Sequence, residues 1–129
     1  MERRLLSGHS PYEAVAGFSR AVVVGRYVHV AGTAPIPRDG DPPEGAYEQA
    51  RLCLQIIGDV LDRAGASLDD VVRTRIYVTD RADWPEVGRA HGEVFAETRP
   101  AATCVVTDLL DERWRVEIEA DAVLPESTP

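Results

Sequence analysis

The stretch AVVVGRYVHVA, residues 21–31, determines how the chain begins to fold. Two runs rich in β-branched side chains flank the pair Gly25-Arg26, and a two-residue connection that begins with glycine is typical of a hairpin with a primed turn. We therefore predict two antiparallel strands here, with a short additional strand around Leu5. The following segment, residues 35–45, holds four prolines, two glycines and three acids, and we expect it to be the main loop.

Two helices are predicted further along the chain, where the apolar period lengthens. From Ala46 to Ala64 apolar side chains recur at three- and four-residue steps, which predicts about five helical turns ending at Gly65. Residues 83–86 (DWPE) have the spacing of a capping box with proline in the first turn, so a second helix should start there. We expect its buried face to comprise Trp84, Val87, His91, Val94 and Phe95.

Three further strands are predicted at residues 71–78, 101–106 and 114–123. In the first of them, we expect Arg73, Arg75 and Tyr77 on the face opposite Val72, Thr74, Ile76 and Val78. In the last, the acidic side chains alternate with apolar ones that start at Trp114. The order β-β-α-β-α-β-β predicts an α+β two-layer sandwich with two helices on one face of a mixed sheet. We expect a single domain over residues 1–129, with flexible termini at 1–10 and 125–129.

The charged residues exclude several functions. All 14 basic side chains are Arg, and without Lys there is neither a Schiff-base amine nor a P-loop lysine, which excludes imine-forming aldolase or transaminase chemistry and P-loop nucleotide hydrolysis. The net charge of −8 disfavours nucleic-acid binding. With no signal peptide and no apolar run of the roughly 18 residues that span a membrane, we expect a cytoplasmic protein in which Cys53 and Cys104 are reduced thiols.

Five segments share their order and spacing with one known family: GFSRAV at residues 17–22, VAGT at 30–33, VVRTRIYVTD at 71–80, RPA at 99–101 and VEIEA at 116–120. Together they resemble the YjgF/YER057c/UK-type Rid family, also catalogued as L-PSP endoribonuclease-like. The resemblance implies a chorismate-mutase-like subunit, assembled as a homotrimer with a ligand cleft between neighbouring subunits. It also implies hydrolysis of reactive enamines and imines to a 2-oxo acid and ammonia, with an arginine that holds the substrate carboxylate.

The family's site residues carry over in part. Glu117 falls on the glutamate that positions water, Gly32 on the glycine that closes the second hairpin strand, and Cys104 on a cysteine of the cleft. The carboxylate-binding arginine, however, falls on Ala102, and the cleft tyrosine falls on Phe18, which keeps the ring without the hydroxyl. Losing a bidentate arginine costs roughly 2 to 5 kcal/mol of carboxylate binding. The resemblance therefore does not predict a standard 2-aminoacrylate deaminase.

Either another arginine binds the ligand or the ligand carries no carboxylate. The candidates are Arg20, Arg73 and Arg75, although ion pairs at an interface would explain the last two equally well. We expect the ligand-binding residues to be Phe18, Ser19, Arg20, Gly32, Arg73, Arg75, Ala102, Thr103 and Cys104, with Glu117 as the catalytic residue.

Three alternatives stay open at this point. Glu117 could simply pair with an arginine across strands or subunits. The protein could also be a non-catalytic trimer that binds a small molecule, while ribonuclease activity follows only from the catalogue name. We expect no cofactor and no metal site, since Glu117, Glu119 and Asp121 would spread over about 13 Å of an extended strand.

Overall fold

The computed structural model describes residues 2–126, and within them the strands form a six-stranded sheet. The spatial order is β1-β2-β3-β6-β4-β5, for the strands β1 (Arg3–Leu6), β2 (Ala21–Val24), β3 (Tyr27–Thr33), β4 (Val71–Val78), β5 (Ala101–Val106) and β6 (Val116–Val123). The pair β4–β5 is parallel and the other neighbours are antiparallel, so the sheet is mixed, as predicted.

The predicted hairpin is confirmed. Strands β2 and β3 pair in register from Ala21 opposite Val30 to Val24 opposite Tyr27. Gly25 begins the turn with φ of 61°, a left-handed conformation that glycine adopts without a steric cost. The short strand expected around Leu5 also forms, since β1 pairs along the whole of β2. The N-terminal residues that we expected to be flexible thus contain an ordered strand, and residues 127–129 lie outside the described range.

Within residues 2–126, three α-helices accompany the sheet: α1 (Tyr12–Ala16), α2 (Ala46–Ala64) and α3 (Trp84–Phe95). Helices α2 and α3 match the prediction and cover one face of the sheet, and α2 ends at Gly65, whose φ of 92° is again left-handed. The single-turn helix α1 was not predicted, because five residues carry no measurable apolar period. No helix of residues 2–126 is both long enough and apolar enough to cross a membrane.

The hydrophobic core lies between α2 and the sheet. Apolar side chains of α2 pack on alternate residues of the central strands, and the largest fully buried ones are Leu54, Ile57, Leu61, Val28, Ile76 and Ile118. Because residues two apart in a strand share a face, the side chains between those core residues point away from the helices. This second face, which we call the open face, carries the charged residues of β4 and β6.

The prediction for β4 is wrong at its first residues. Val71 is buried at 2% exposure, whereas Val72, which we had assigned to the core face, is 50% exposed. The pairing with β6 shifts register between Val71 and Arg73, as in a β-bulge. The extra residue reverses the alternation before Arg73, and the predicted faces hold from Arg73 onward.

Three predictions about α3 and β6 are also corrected. The capping box does not form, because the Asp83 carboxylate accepts hydrogen bonds from Arg115 Nη1 at 3.3 and 3.2 Å instead of capping the helix. Trp84 is 44% exposed and not part of the buried helix face. Strand β6 begins at Val116, two residues later than predicted, while Trp114 is buried in the preceding turn.

Candidate functional site

The Glu117 carboxylate lies directly against the backbone of Gly32. Glu117 is on the open face of β6, and Gly32 is in the irregular end of β3, where the pairing with β6 shifts between Val30 and Thr33. A Cβ atom added at Gly32 would lie 2.5 Å from Glu117 Oε2, closer than any side chain allows. Glycine at this position is therefore what makes room for the carboxylate.

Partial burial changes the proton affinity of Glu117. Desolvation raises the pKa of its carboxyl above the ordinary range, the positive charge of Arg20 acts in the opposite direction, and Glu119 raises the pKa slightly further. A raised pKa makes a carboxylate a stronger base and lets it hold the proton that it later returns, which is what general acid–base catalysis uses.

Arg20 approaches the same place from the interior. Its side chain is only 5% exposed, and Nη2 donates a hydrogen bond of 2.6 Å to the carbonyl oxygen of Gly32. Burial lowers the pKa of Arg20, while the charges of Glu13 and Glu117 raise it. The guanidinium carbon lies 5.8 Å from the centre of the Phe18 ring, within cation–π range. The structure thus brings Phe18, Arg20, Gly32 and Glu117 together.

A cavity of about 430 Å³ opens beside this cluster at the β1–β2–β3 end of the sheet. Its walls include Leu5, Gly17, Phe18, Ser19, Val22 and Ala31. The predicted residues Phe18 and Ser19 therefore line a real concavity next to Gly32, and its lining is mostly apolar apart from Arg3, Ser19 and His29.

Arg73 and Arg75 form a second polar group on the open face. Arg75 Nη1 lies 3.1 Å from Asp121 Oδ2 and 3.4 Å from Glu119 Oε1, and these carboxylates keep the pKa of Arg75 above its usual range. Arg73 Nη2 donates to Thr103 Oγ1 at 2.8 Å. Arg75 is therefore held by acids of the next strand, and the Tyr77 hydroxyl donates to Glu119 at 3.2 Å beside it.

The predicted residues of β5 lie apart from Glu117 within one chain. Ala102 and Cys104 pair in register with Thr74 and Ile76, which face the helices, so they belong to the helix-covered side of the sheet. Cys104 packs against the core, and burial raises the pKa of its thiol. Thr103 points the other way, toward Arg73. The structure does not bring Ala102 or Cys104 to the Glu117 carboxylate.

One charged residue of this region, Glu13, was missed by sequence reasoning. It lies in α1, is 8% exposed, and its Oε1 accepts a hydrogen bond of 2.9 Å from the Gly8 N–H. Glu13 belongs to the short segment Ser10-Pro11-Tyr12-Glu13, which has no apolar period that would indicate a buried acid.

The acids of β6 contact arginine and backbone groups. Glu119 and Asp121 face Arg75, while Glu117 faces Gly32. Among residues 2–126, no group of three or more His, Cys, Asp or Glu side chains is arranged to hold a metal ion.

Comparison with known proteins gives similarities over nearly the whole chain. The family described as Endoribonuclease L-PSP matches residues 8–124. The protein named 2-iminobutanoate/2-iminopropanoate deaminase from Capra hircus is 32% identical over 123 residues, covering 94% of this chain and 90% of its own. An uncharacterized protein of Streptomyces coelicolor is 38% identical over 126 residues, with 93% and 90% covered. Among solved structures, a Mycobacterium tuberculosis member of the YjgF/YER057c/UK114 family has a TM-score of 0.87 at 44% identity, covering 95% of this chain and 100% of that one.

Proposed function

Since the chain belongs to the Endoribonuclease L-PSP family, the YjgF/Rid family that its sequence resembles, we propose that it hydrolyses a small reactive imine or enamine in clefts between the subunits of a homotrimer. The products are a carbonyl compound and ammonia. The relative from Capra hircus that is named an iminobutanoate and iminopropanoate deaminase supports this reaction class.

The observation that carries the proposal is the Glu117 carboxylate, half-buried against Gly32 with a raised pKa. In its ionised form it accepts a proton from water as the water oxygen attacks the imine carbon. The protonated carboxyl then gives that proton to the nitrogen, which completes a carbinolamine. In a second transfer the carboxylate takes the proton of the carbinolamine hydroxyl and passes it to the nitrogen, so that the carbon–nitrogen bond breaks, ammonia leaves and the carbonyl forms. Water supplies the oxygen, no electrons are gained or lost, and Glu117 returns to its starting state.

Placement of the predicted residues on two faces supports a cleft shared between copies. Glu117 and Gly32 are on the open face, whereas Ala102 and Cys104 are on the helix-covered side of the edge strand β5. One chain cannot direct both groups into one cleft, but the β5 edge of one copy can meet the open face of another. Strand β5 is suited to this because most of its residues are exposed in the single chain.

The substrate we propose differs from 2-aminoacrylate in how it is bound. Ala102 stands where the family places its carboxylate-binding arginine, and Arg75 is already held by Glu119 and Asp121. Phe18 and the apolar walls of the adjoining cavity offer a surface for a planar, less polar group. We therefore propose an imine or enamine with an apolar substituent as the preferred substrate.

The experiment uses imines generated in place by an amino-acid oxidase, with ammonia release followed over the buffer rate. Acidic, neutral and aromatic amino acids provide the series of substituents. We expect the wild type to accelerate hydrolysis, most for the apolar imines, and Glu117→Gln to lose at least 100-fold of the acceleration. Glu97→Gln makes the same change at an exposed position, and this variant should keep the full acceleration of hydrolysis. No acceleration with any imine would sink the deaminase proposal.

A second candidate, a non-catalytic trimer that binds a small molecule, is favoured by the alanine at 102 and by the missing hydroxyl at Phe18. It predicts calorimetric binding of an aromatic 2-oxo acid to a wild type that shows only the buffer rate of hydrolysis. The variant Ala102→Arg further distinguishes the deaminase from the non-catalytic binding protein. If this variant gains 2-aminoacrylate hydrolysis, the catalytic groups are intact and only ligand choice has diverged.

A further inference from the structure

Arg20 reaches the Glu117 site from the helix-covered side. It lines a cavity of about 520 Å³ on that side together with residues of α2 such as Leu52, Ile56 and Val60. From there its Nη2 donates the 2.6 Å hydrogen bond to the Gly32 carbonyl. The Glu117 carboxylate contacts the same glycine from the open face. Gly32 is thus held between a buried cation and the proposed catalytic carboxylate.

Glu13 accompanies Arg20 in the interior. A Cβ atom on Gly8 would lie 2.9 Å from Glu13 Oε2 and 3.1 Å from Arg20 Cδ, so the two side chains meet at Gly8. Glu13 Oε2 and Arg20 Nε are both buried without a hydrogen-bond partner. Two opposite charges at a water-excluded position compensate each other through space more strongly than they would in water.

The other groups around Glu117 cannot replace this cation. Glu119 on the same strand is an acid, and it repels the Glu117 charge. Tyr77 of β4 pairs directly with Glu117, and the charge of Glu117 also acts on the Cys53 thiol in the core, but the pKa of each is raised, so both are neutral at pH 7. Arg20 therefore provides the attraction that opposes the desolvation of Glu117.

We propose that Arg20 is a positioning residue for Glu117: it fixes the Gly32 carbonyl from inside the fold and keeps a positive charge behind the Glu117 carboxylate, while Glu13 balances that charge. Its effect on catalysis rests on the proposed function, whereas the electrostatic link rests on the geometry. Arg20 acts here through Gly32 and Glu117 and does not bind the ligand itself.

The test is the titration of Glu117, followed by carbon NMR of protein labelled in its glutamate carboxyl groups. The Glu117 signal is identified by its loss in Glu117→Gln. Arg20→Gln keeps an amide donor for Gly32 and removes the charge, so we expect the Glu117 midpoint to rise by about one pH unit. Arg26→Gln removes the same charge at the β2–β3 turn. Its neighbour Tyr27 pairs with Val123, six residues after Glu117 on β6, which places Arg26 about 20 Å from Glu117. This control should shift the Glu117 midpoint by less than about 0.2 pH unit.

Glu13→Gln is the second variant, and it decides the question if Arg20→Gln does not fold. It keeps an acceptor for the Gly8 N–H but removes a negative charge, so the Glu117 midpoint should fall. An unchanged midpoint in the folded variants would overturn the role of Arg20.

The titration of Glu117 and the assay of imine hydrolysis test the two proposals separately. A wild type without hydrolytic activity but with the expected NMR shifts would refute the deaminase alone. In an active wild type, the acidic limb of the pH–rate profile should move upward in Arg20→Gln by the same amount as the midpoint.

Discussion

Glu117 is expected to cost stability at neutral pH, because its pKa is higher in the folded protein than in the unfolded chain. The folded state then binds the proton more readily, and the free energy of unfolding falls as pH rises from the unfolded pKa through the folded one. We predict that Glu117→Gln raises the denaturant midpoint at pH 7 and that this gain disappears at about pH 3, where both states are protonated. Glu97→Gln, at an exposed position, should show no such gain at either pH.

Gly32→Ala should separate activity from stability. The new methyl group would meet the end of the flexible Glu117 side chain, which can move aside, so we expect a loss of less than about 1.5 kcal/mol in the free energy of unfolding. The displaced carboxylate should nevertheless reduce the rate of imine hydrolysis by about 100-fold. Gly92→Ala is the matched control, since a Cβ at Gly92 in α3 meets open space, and it should add about 0.5 to 1 kcal/mol with activity unchanged.

Sequence reasoning reached single residues only where a family pattern supplied them. Glu117 and Gly32 were selected by their place in the family's motifs, and the structure puts them in contact. Glu13 carries no comparable signal, because its burial depends on Gly8 folding over it. The burial of Arg20 was not predicted either, since strand alternation does not indicate that a charged side chain directly before β2 turns into the interior.

Among the elements, β4 shows what the alternation of a single strand can predict and what it cannot. Alternation places residues from Arg73 to Val78 correctly, but the bulge is a property of the ladder with β6 and leaves no mark in β4 alone. The failed capping box is similar, because Arg115, distant in sequence, takes the Asp83 carboxylate. Helix α2 was predicted in full because its apolar period, its length and Gly65 all agree.

The bulge can be tested by two valine substitutions. We predict that Val71→Ala lowers the free energy of unfolding by about 2 kcal/mol, from lost burial and the cavity left behind. Val72→Ala should change it by less than about 0.5 kcal/mol. Equilibrium unfolding in urea measures both changes. A larger loss for Val72→Ala than for Val71→Ala would contradict the bulge and support the regular alternation.

The buried side chain of Gln49 connects α2 to the loop that precedes this helix and to the segment that precedes β6. Its Nε2 donates to the carbonyls of Pro43 at 2.7 Å and Arg113 at 2.8 Å, and its Oε1 accepts from the Arg115 N–H at 2.7 Å. We predict that Gln49→Leu lowers the free energy of unfolding by about 3 kcal/mol, because three backbone groups lose their partner. Gln55→Leu, on the exposed side of the same helix, should stay within about 0.5 kcal/mol. Equal effects at both positions would show that the three bonds contribute nothing.

At the scale of the whole molecule, the question is what covers the open face and the β5 edge. Charged residues of β4 and β6 line that face, and they are only half-buried in the single chain. A homotrimer would cover it and would bring the Ala102 side of one copy to the Glu117 side of the next. Light scattering should then give three times the 14.1 kDa mass of the chain.

Complementation between two inactive variants tests the shared cleft most directly. Glu117→Gln removes the carboxylate from one side, and Ala102→Trp fills the cleft from the other side at an exposed position. Each variant alone should release ammonia from apolar imines at the buffer rate. When the two are refolded together in equal amounts, about a quarter of the clefts receive both intact halves, and we predict about a quarter of the wild-type rate. A mixture as inactive as its parents, beside an active wild type, would contradict a site built from two subunits.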